Sequence, residues 1–182
     1  MTTKTNPFPM IRVFLAVAFC CMEAVTSAQE PQKPGPEHDR LKEMVGTWDA
    51  IMDMGGQKSK ATATYKPICS GMWIASDFES ELGGVPFQGH GMDGYDQLKK
   101  KFVGHWFDSM TSSPMAFEGD FDADHKVLTM TGTAPGPDGK PQKFRSTTEM
   151  KGKNQMSFKM FMASGPAVKE ELSFTIEYTR RK

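Results

Sequence analysis

From residue 46 to residue 180, apolar and polar side chains alternate at nearly every second position, and turn-forming residues recur about every ten residues. Successive side chains of a β-strand point to opposite sides, so a period of two indicates strands with one buried face and one wet face. Short strands separated by tight turns are typical of antiparallel hairpins. The pattern therefore predicts an all-β domain.

Turn signals divide this region into ten predicted strands, preceded by one short helix over 37–43. The predicted strands are 46–54, 58–65, 71–82, 85–95, 100–109, 115–121, 127–133, 142–151, 155–163 and 169–180. Ten consecutive strands form an up-and-down meander, and closing it into a barrel removes the two exposed edges. A barrel of this size encloses more volume than its side chains fill, which predicts a pocket inside it.

Three of the predicted strands have an apolar face that can be followed residue by residue. It comprises Trp48, Ala50, Met52 and Met54 in the first strand, Met156, Phe158, Met160 and Met162 in the ninth, and Leu172, Phe174, Ile176 and Tyr178 in the tenth. The alternate positions are mostly polar, so we expect an apolar lining and a wet exterior. The 15 methionines fit ordinary core packing, an adaptable pocket lining, or thioether binding of copper(I).

The first 28 residues differ in character from the rest of the chain. Lys4 and Arg12 precede an apolar run over 13–21, and small residues follow up to Ala28. This is the three-part pattern of a secretory signal peptide, and the run is about half as long as the ~20 residues that a transmembrane helix needs. We predict export, to the periplasm or the cell exterior, with cleavage after Ala28. No later segment is apolar enough to cross a membrane.

Cleavage at that point would leave a flexible, proline-rich lead-in over 29–36 and one barrel domain over 37–182. The whole chain has 22 basic and 22 acidic side chains, so no charged field favours nucleic acid or anionic lipid. Only Cys69 would remain of three cysteines, which rules out an internal disulfide. We expect Cys69 to be a buried structural thiol rather than a nucleophile.

Short motifs distributed over the barrel region resemble those of a known family. They are His38-x-x-Leu41, Val45-Gly46-Thr47-Trp48, Gly71-x-Trp73, Gly94-Tyr95-Asp96, Trp106-x-Asp108-Ser109-Met110, Glu118-Gly119-x-Phe121-Asp122, Leu128-Thr129 and Tyr178-Thr179-Arg180-Arg181. In combination this pattern is similar to the domain of unknown function family 1579, DUF1579. The resemblance implies a calycin-like barrel, akin to lipocalins, fatty-acid-binding proteins and nitrobindins, and no established activity.

The same resemblance implies how the barrel is closed. In lipocalins, a Gly-x-Trp motif near the start of the barrel packs under an arginine near its end. By resemblance, Gly46 and Trp48 would take the first role and Arg180 or Arg181 the second. The contact would be a cation–π interaction at the bottom of the barrel.

We expect ligand contacts from aromatic, thioether and acidic side chains. Tyr95, Trp106 and Asp108 lie near predicted strand ends, where they would orient a ligand at the barrel mouth or, alternatively, serve turn chemistry. The other candidates are Trp73, Phe87, Phe158 and Met160. The sequence thus predicts the binding of a small hydrophobic molecule, and it specifies neither a cofactor nor an oligomeric state.

Two other classes of function remain open. His90 and His105 lie on adjacent predicted strands and could together bind zinc, copper or haem iron, in a metal protein or an enzyme. A filled barrel would instead suit a structural or partner-binding module. No serine elbow and no His-Glu-x-x-His motif occurs, which favours a protein without catalytic activity and gives no dedicated metal site.

Two further patterns each have a functional and a structural interpretation. Residues 89–94 match the dinucleotide-binding pattern Gly-x-Gly-x-x-Gly, but no helix is predicted after them, and the alternative is that the glycines relieve crowding in a bent strand. Glu118, Asp120, Asp122 and Asp124 recur at every second position and suggest either a calcium loop or a solvated hairpin.

Overall fold

The computed structural model describes residues 31–136, 139–163 and 169–182. One helix, α1 (Pro36–Lys42), precedes ten strands. The strands are β1 (Gly46–Met54), β2 (Gln57–Ile68), β3 (Trp73–Leu82), β4 (Val85–Asp96), β5 (Lys101–Asp108), β6 (Thr111–Phe121), β7 (Val127–Pro135), β8 (Pro141–Met150), β9 (Gln155–Ala163) and β10 (Glu171–Arg180). The predicted signal peptide over 1–28 lies outside the described residues.

The ten strands form a closed antiparallel barrel in which each strand pairs with its neighbours in sequence. The seam joins β1 to β10, in a register that runs from Trp48 opposite Arg180 to Asp53 opposite Thr175. Because the first and last strands pair, no edge strand is left unpaired. The prediction of an all-β, up-and-down barrel of ten strands with one short leading helix is confirmed.

Strand β2 is longer than predicted, since it continues through Pro67 to Ile68. We expected Pro67 to end the strand because proline has no N–H to donate to a neighbouring strand. The pairing of β1 with β2 ends at Gly46 and Tyr65, whereas Pro67 pairs with Ile74 of β3. Beyond Tyr65 the strand therefore has a partner on one side only, and proline is tolerated there.

Strand β3 begins at Trp73 rather than at Gly71, because Cys69–Gly71 form a tight 3-10 turn that ends just before Met72. Cys69, Ser70 and Gly71 have φ angles of 48°, 58° and 85°, which a strand cannot accommodate. Cys69 is exposed in this turn, so the expectation of a buried thiol is wrong. Strand β6 also differs from the prediction, since it begins at Thr111, and the other boundaries move by at most two residues.

Helix α1 packs against one end of the barrel, which we call the helix end. Its first turn begins with Pro36, and the His38 Nδ1 accepts a hydrogen bond from the Gly35 N–H at 2.9 Å. His38 and Leu41 are buried. Leu41 belongs to the same apolar cluster as Trp48, so the helix contributes its inner face to the floor of the barrel.

Candidate functional site

The inward-facing side chains of the barrel surround a cavity of about 340 Å³, which is near the lower limit for small-molecule sites. Eight of the residues that border it are methionines and six are phenylalanines. Methionine is flexible and polarisable, so such a wall can adapt to ligands of different shape. The space is therefore apolar over most of its surface and large enough for a small organic molecule.

Five of the seven predicted ligand contacts border this cavity, and two do not. The five are Phe87, Trp106, Asp108, Phe158 and Met160. Trp73 alternates with the buried Ile74, which places its indole on the outer face of β3. Tyr95 lies at the helix end, where its ring packs against Phe102 at 5.1 Å between centroids and meets His38 edge-on at 6.0 Å.

Asp108 and Tyr95 lie at opposite ends of the barrel, although both were expected at one mouth. Neighbouring antiparallel strands run in opposite directions, so the last residues of β4 and of β5 point to opposite ends. The Asp108 carboxylate already accepts two hydrogen bonds at 2.9 Å, from the Trp106 Nε1 and from the Met110 N–H. Its role in the described structure is to hold the Trp106 indole in place.

The glycines of the 89–94 stretch make room for two indoles. A Cβ atom on Gly89 would lie 2.6 Å from the Trp106 Cη2, inside the barrel. A Cβ atom on Gly94 would lie 2.7 Å from the Trp73 Cε3, on the outer face. Both distances are shorter than any real contact of a Cβ atom. Strand β4 leads to β5 and not to a helix, so the glycines serve packing.

Asp93 is the functional candidate that sequence reasoning missed. It lies on the inward face of β4, between Gly91 and Tyr95, and borders the cavity. Gly104 is directly opposite on β5, and a Cβ atom there would lie 2.5 Å from the Asp93 Oδ1. Removal from solvent raises the pKa of Asp93 to about 7. Within the described part of the chain, the carboxylate has no hydrogen-bond donor and no cationic partner.

Two tyrosines near Asp93 complete a polar group in an otherwise apolar space. The hydroxyl groups of Tyr65 on β2 and Tyr178 on β10 are hydrogen-bonded to each other, and the negative charge of Asp93 acts on the Tyr65 hydroxyl. Burial raises the pKa of Tyr65 and of Tyr178 well above the ordinary value. Both hydroxyls therefore keep their protons and can donate hydrogen bonds. We call Tyr65, Asp93 and Tyr178 the deep polar cluster.

Arg180 closes the helix end of the barrel over Trp48. Its guanidinium carbon lies 4.0 Å from the centre of the Trp48 ring. The guanidinium also donates to the Glu43 and Lys153 carbonyls, each at 2.7 Å, and to the Val45 carbonyl. Trp48 is fully buried, and its Nε1 donates to the Met44 carbonyl at 2.8 Å.

Gly46 and Arg181 have different roles at this end of the barrel. A Cβ atom on Gly46 would lie 2.6 Å from the Arg180 Nη1, and its φ of 131° also requires glycine. Arg181 points to the exterior, where it pairs with Asp49. Of the two arginines that the sequence left open, Arg180 is the one over the indole.

The side chains of His90 and His105 are both exposed on the outside of the barrel. The His90 Nδ1 lies 2.9 Å from the Asp77 Oδ1. His105 is among the residues that border the cavity, but it alternates with the inward-facing Gly104 and Trp106, which places its ring outside. Among the residues that the structure describes, no three side chains of the kinds that bind metals come together.

Glu118 and Asp120 also point outward, from β6, and Asp122 follows directly after this strand. Glu118 pairs with Lys99 at 3.2 Å, and Asp120 pairs with Lys101. The Asp122 carboxylate accepts hydrogen bonds from the backbone N–H groups of Lys126 and Val127, which lowers its pKa. The three carboxylates are thus occupied by partners within the protein and do not converge on one point.

The closed ten-stranded meander with an internal cavity belongs to the class of up-and-down β-barrels. Residues 33–180 match the family model described as protein of unknown function DUF1579. The chain belongs to this family, as its motifs predicted. A comparison with curated protein sequences finds no match. Within the described residues, no helix is long and apolar enough to cross a membrane.

Two solved structures share the fold at low sequence identity. The first is Rv2717c from M. tuberculosis, with a TM-score of 0.61 and 9% identity over 81% of this chain and 99% of that one. The second is the S-type phycobiliprotein lyase CPES from Guillardia theta, with a TM-score of 0.54 and 8% identity over 80% of this chain and 93% of that one. At such identities the likeness concerns the fold alone.

Proposed function

We propose that this protein is an exported carrier that binds a small, mainly apolar molecule inside its barrel. The observation that carries the proposal is the cavity itself. Protein interiors are normally packed as densely as organic crystals, with few voids larger than a water molecule. A space of about 340 Å³ lined by methionine and phenylalanine departs from that rule in the way that ligand sites do.

The location of the cavity supports a carrier rather than a surface-binding module. The space is formed by side chains of all parts of the barrel, from Met52 on β1 to Ile176 on β10. A ligand inside it would be surrounded by protein and shielded from water, which suits the transport or storage of an apolar compound.

Native mass spectrometry of protein produced with its own signal peptide tests the proposal directly. We expect a chain that begins at Gln29, together with an additional mass that is lost on denaturation and extracts into organic solvent. A chain that retains residues 1–28 would contradict export. Co-purifying metal or haem, detected by elemental analysis and by absorbance, would favour the metal-protein alternative instead.

A pair of variants links any bound mass to the cavity. Ser146 is buried, borders the cavity and lies opposite Met130 and Met160, so Ser146→Phe would fill the space. Thr147, the next residue, points outward, so Thr147→Phe is the matched control on the same strand. We expect the ligand mass to be lost from Ser146→Phe and kept by Thr147→Phe, with both variants folded by circular dichroism. Ligand retention by Ser146→Phe would refute binding in the cavity.

A further inference from the structure

We infer that the ligand of the barrel carries a cationic amine on an apolar body, and that Asp93 holds this amine within the deep polar cluster. The inference rests on the proposed function, because it concerns the same cavity. It specifies the chemical class of the ligand, which the apolar lining leaves open.

Asp93 faces the cavity without a partner among the described residues. Its carboxylate lies on the inward face of the barrel, in the room that the glycine opposite, Gly104, leaves for the Oδ1. An ionised carboxylate can accept about four hydrogen bonds, yet no described residue donates one to Asp93. Asp93 is half-buried and faces an apolar cavity, and partial desolvation of a carboxylate without a partner is costly. A donor that enters the cavity would supply what the protein does not.

The charges around the cavity favour a cationic ligand over an anionic one. Among the described residues that border it, there are carboxylates but no lysine or arginine. Asp108 is engaged by the Trp106 indole and the Met110 N–H. Arg180, the cation at the helix end, is engaged by Trp48 and by backbone carbonyls. An anionic ligand such as a fatty acid would thus meet a like charge without a counter-ion, whereas a cation would meet an opposite one.

The groups that face Asp93 from neighbouring strands agree with this sign. Tyr65 on β2 and Tyr178 on β10 supply neutral hydroxyl groups. Ser76 on β3 is buried and borders the same cavity, and Gly104 and Met130 on β5 and β7 carry no charge. Hydroxyl oxygens can accept further hydrogen bonds from an ammonium group, and aromatic walls attract cations through their π faces.

Protonation adds a property that can be measured. The pKa of Asp93 is raised to about 7 by burial, so the empty site is neutral in acid and negative in base. An ammonium ligand binds best to the ionised carboxylate. Its affinity should therefore rise from pH 5 to pH 8 by up to about a hundredfold, since roughly 1% of Asp93 is ionised at pH 5 and most of it at pH 8.

Three probes with one apolar body separate the possibilities. They are naphthalene carrying an aminomethyl, a hydroxymethyl or a carboxymethyl group, titrated calorimetrically into the mature protein at pH 8. We expect the amine to bind at least tenfold more tightly than the carboxylate. In Asp93→Asn the preference should fall below threefold and the pH dependence should vanish. Asp77→Asn, on the outer surface, should keep both properties.

The outcomes distinguish this inference from the function on which it rests. Equal or tighter binding of the carboxylate or of the alcohol by the unaltered protein would overturn the amine assignment and leave the carrier intact. An amine preference that survives in folded Asp93→Asn would overturn the role of Asp93. Failure of all three probes to bind a barrel freed of co-purified material would overturn both. The ranking of the probes by the unaltered protein requires no variant, so it holds even if Asp93→Asn does not fold.

Discussion

Replacing Asp93 with asparagine should remove a pH-dependent loss of stability. Burial raises the pKa of this carboxyl from 3.8 to about 7 in the folded protein, whereas the unfolded chain keeps the ordinary value. Between about pH 4 and pH 7 the folded state therefore holds a proton that the unfolded state releases. The free energy of unfolding should fall as the pH rises through this window and become constant above it.

The size of this loss follows from the two pKa values. The full difference between 3.8 and about 7 corresponds to about 4 kcal/mol, and the part between pH 5 and pH 8 to roughly 2.5 kcal/mol. Water within the cavity would reduce both figures, so they are upper values. Asparagine has nearly the same shape and no proton to lose in this range, so Asp93→Asn should not show the decline.

Urea denaturation followed by tryptophan fluorescence at pH 5, 6, 7 and 8 measures the effect. The quantity of interest is the difference between the unaltered protein and Asp93→Asn at each pH, because the titration of other groups cancels in it. Asp124→Asn, an exposed substitution outside the cavity, is the control and should leave the pH profile unchanged. If this difference in the free energy of unfolding changes by less than about 0.5 kcal/mol between pH 5 and pH 8, which is roughly the limit of such measurements, Asp93 is not desolvated as described.

Two further predictions concern the contacts that shape the barrel. Arg180→Ala removes the guanidinium over Trp48 and its hydrogen bonds to backbone carbonyls. It should lower the free energy of unfolding by about 2–4 kcal/mol. The Arg181 side chain is exposed, so Arg181→Ala should have no measurable effect in the same denaturation experiment, and equal losses for the two variants would refute the closure. Gly89→Ala places a methyl group against the Trp106 ring. It should lower the free energy of unfolding by about 1–3 kcal/mol and shift the tryptophan emission. An unchanged spectrum and stability would show that the strand can move aside.

The barrel could be predicted from the sequence because its strands alternate over long, regular segments. β1 and β9 are found within the predicted boundaries, and both have an apolar face that repeats at every second residue. Hairpin turns at Gly55–Gly56 and Gly83–Gly84 have positive φ angles, as their glycines indicated. In such segments local preference and burial agree, so the sequence is sufficient.

Asp93 could not be found in the same way, because the middle of β4 departs from the usual pattern. Between Phe87 and Tyr95 the inward positions hold Gly89, Gly91 and Asp93, whereas the apolar Met92 is 39% exposed on the outside. In this stretch, alternation gives no sign that the acidic side chain faces the interior. The inward glycines become intelligible only once the Trp106 ring is seen to lie across them, and that ring comes from the neighbouring strand.

The outward position of Trp73 has a similar cause. An indole is normally expected inside a barrel, but Gly94 leaves an open place on the outer surface of β4 that the ring covers. Pro67 likewise ends β2 only if a partner is present on both sides of the strand, and the register shows one partner there. These details depend on pairing between strands, which a single sequence does not contain.

The seam between β1 and β10 sets the order in which the molecule can be completed. Trp48 pairs across the seam with Arg180, whose guanidinium also covers the indole. Arg180 comes more than a hundred residues later in the chain. Contacts of such long range are slow to form, because loop closure must precede them. During synthesis the first strand thus remains without this neighbour until β10 has been made. The barrel stays open until that point, as the proposed export of an unfolded chain would require.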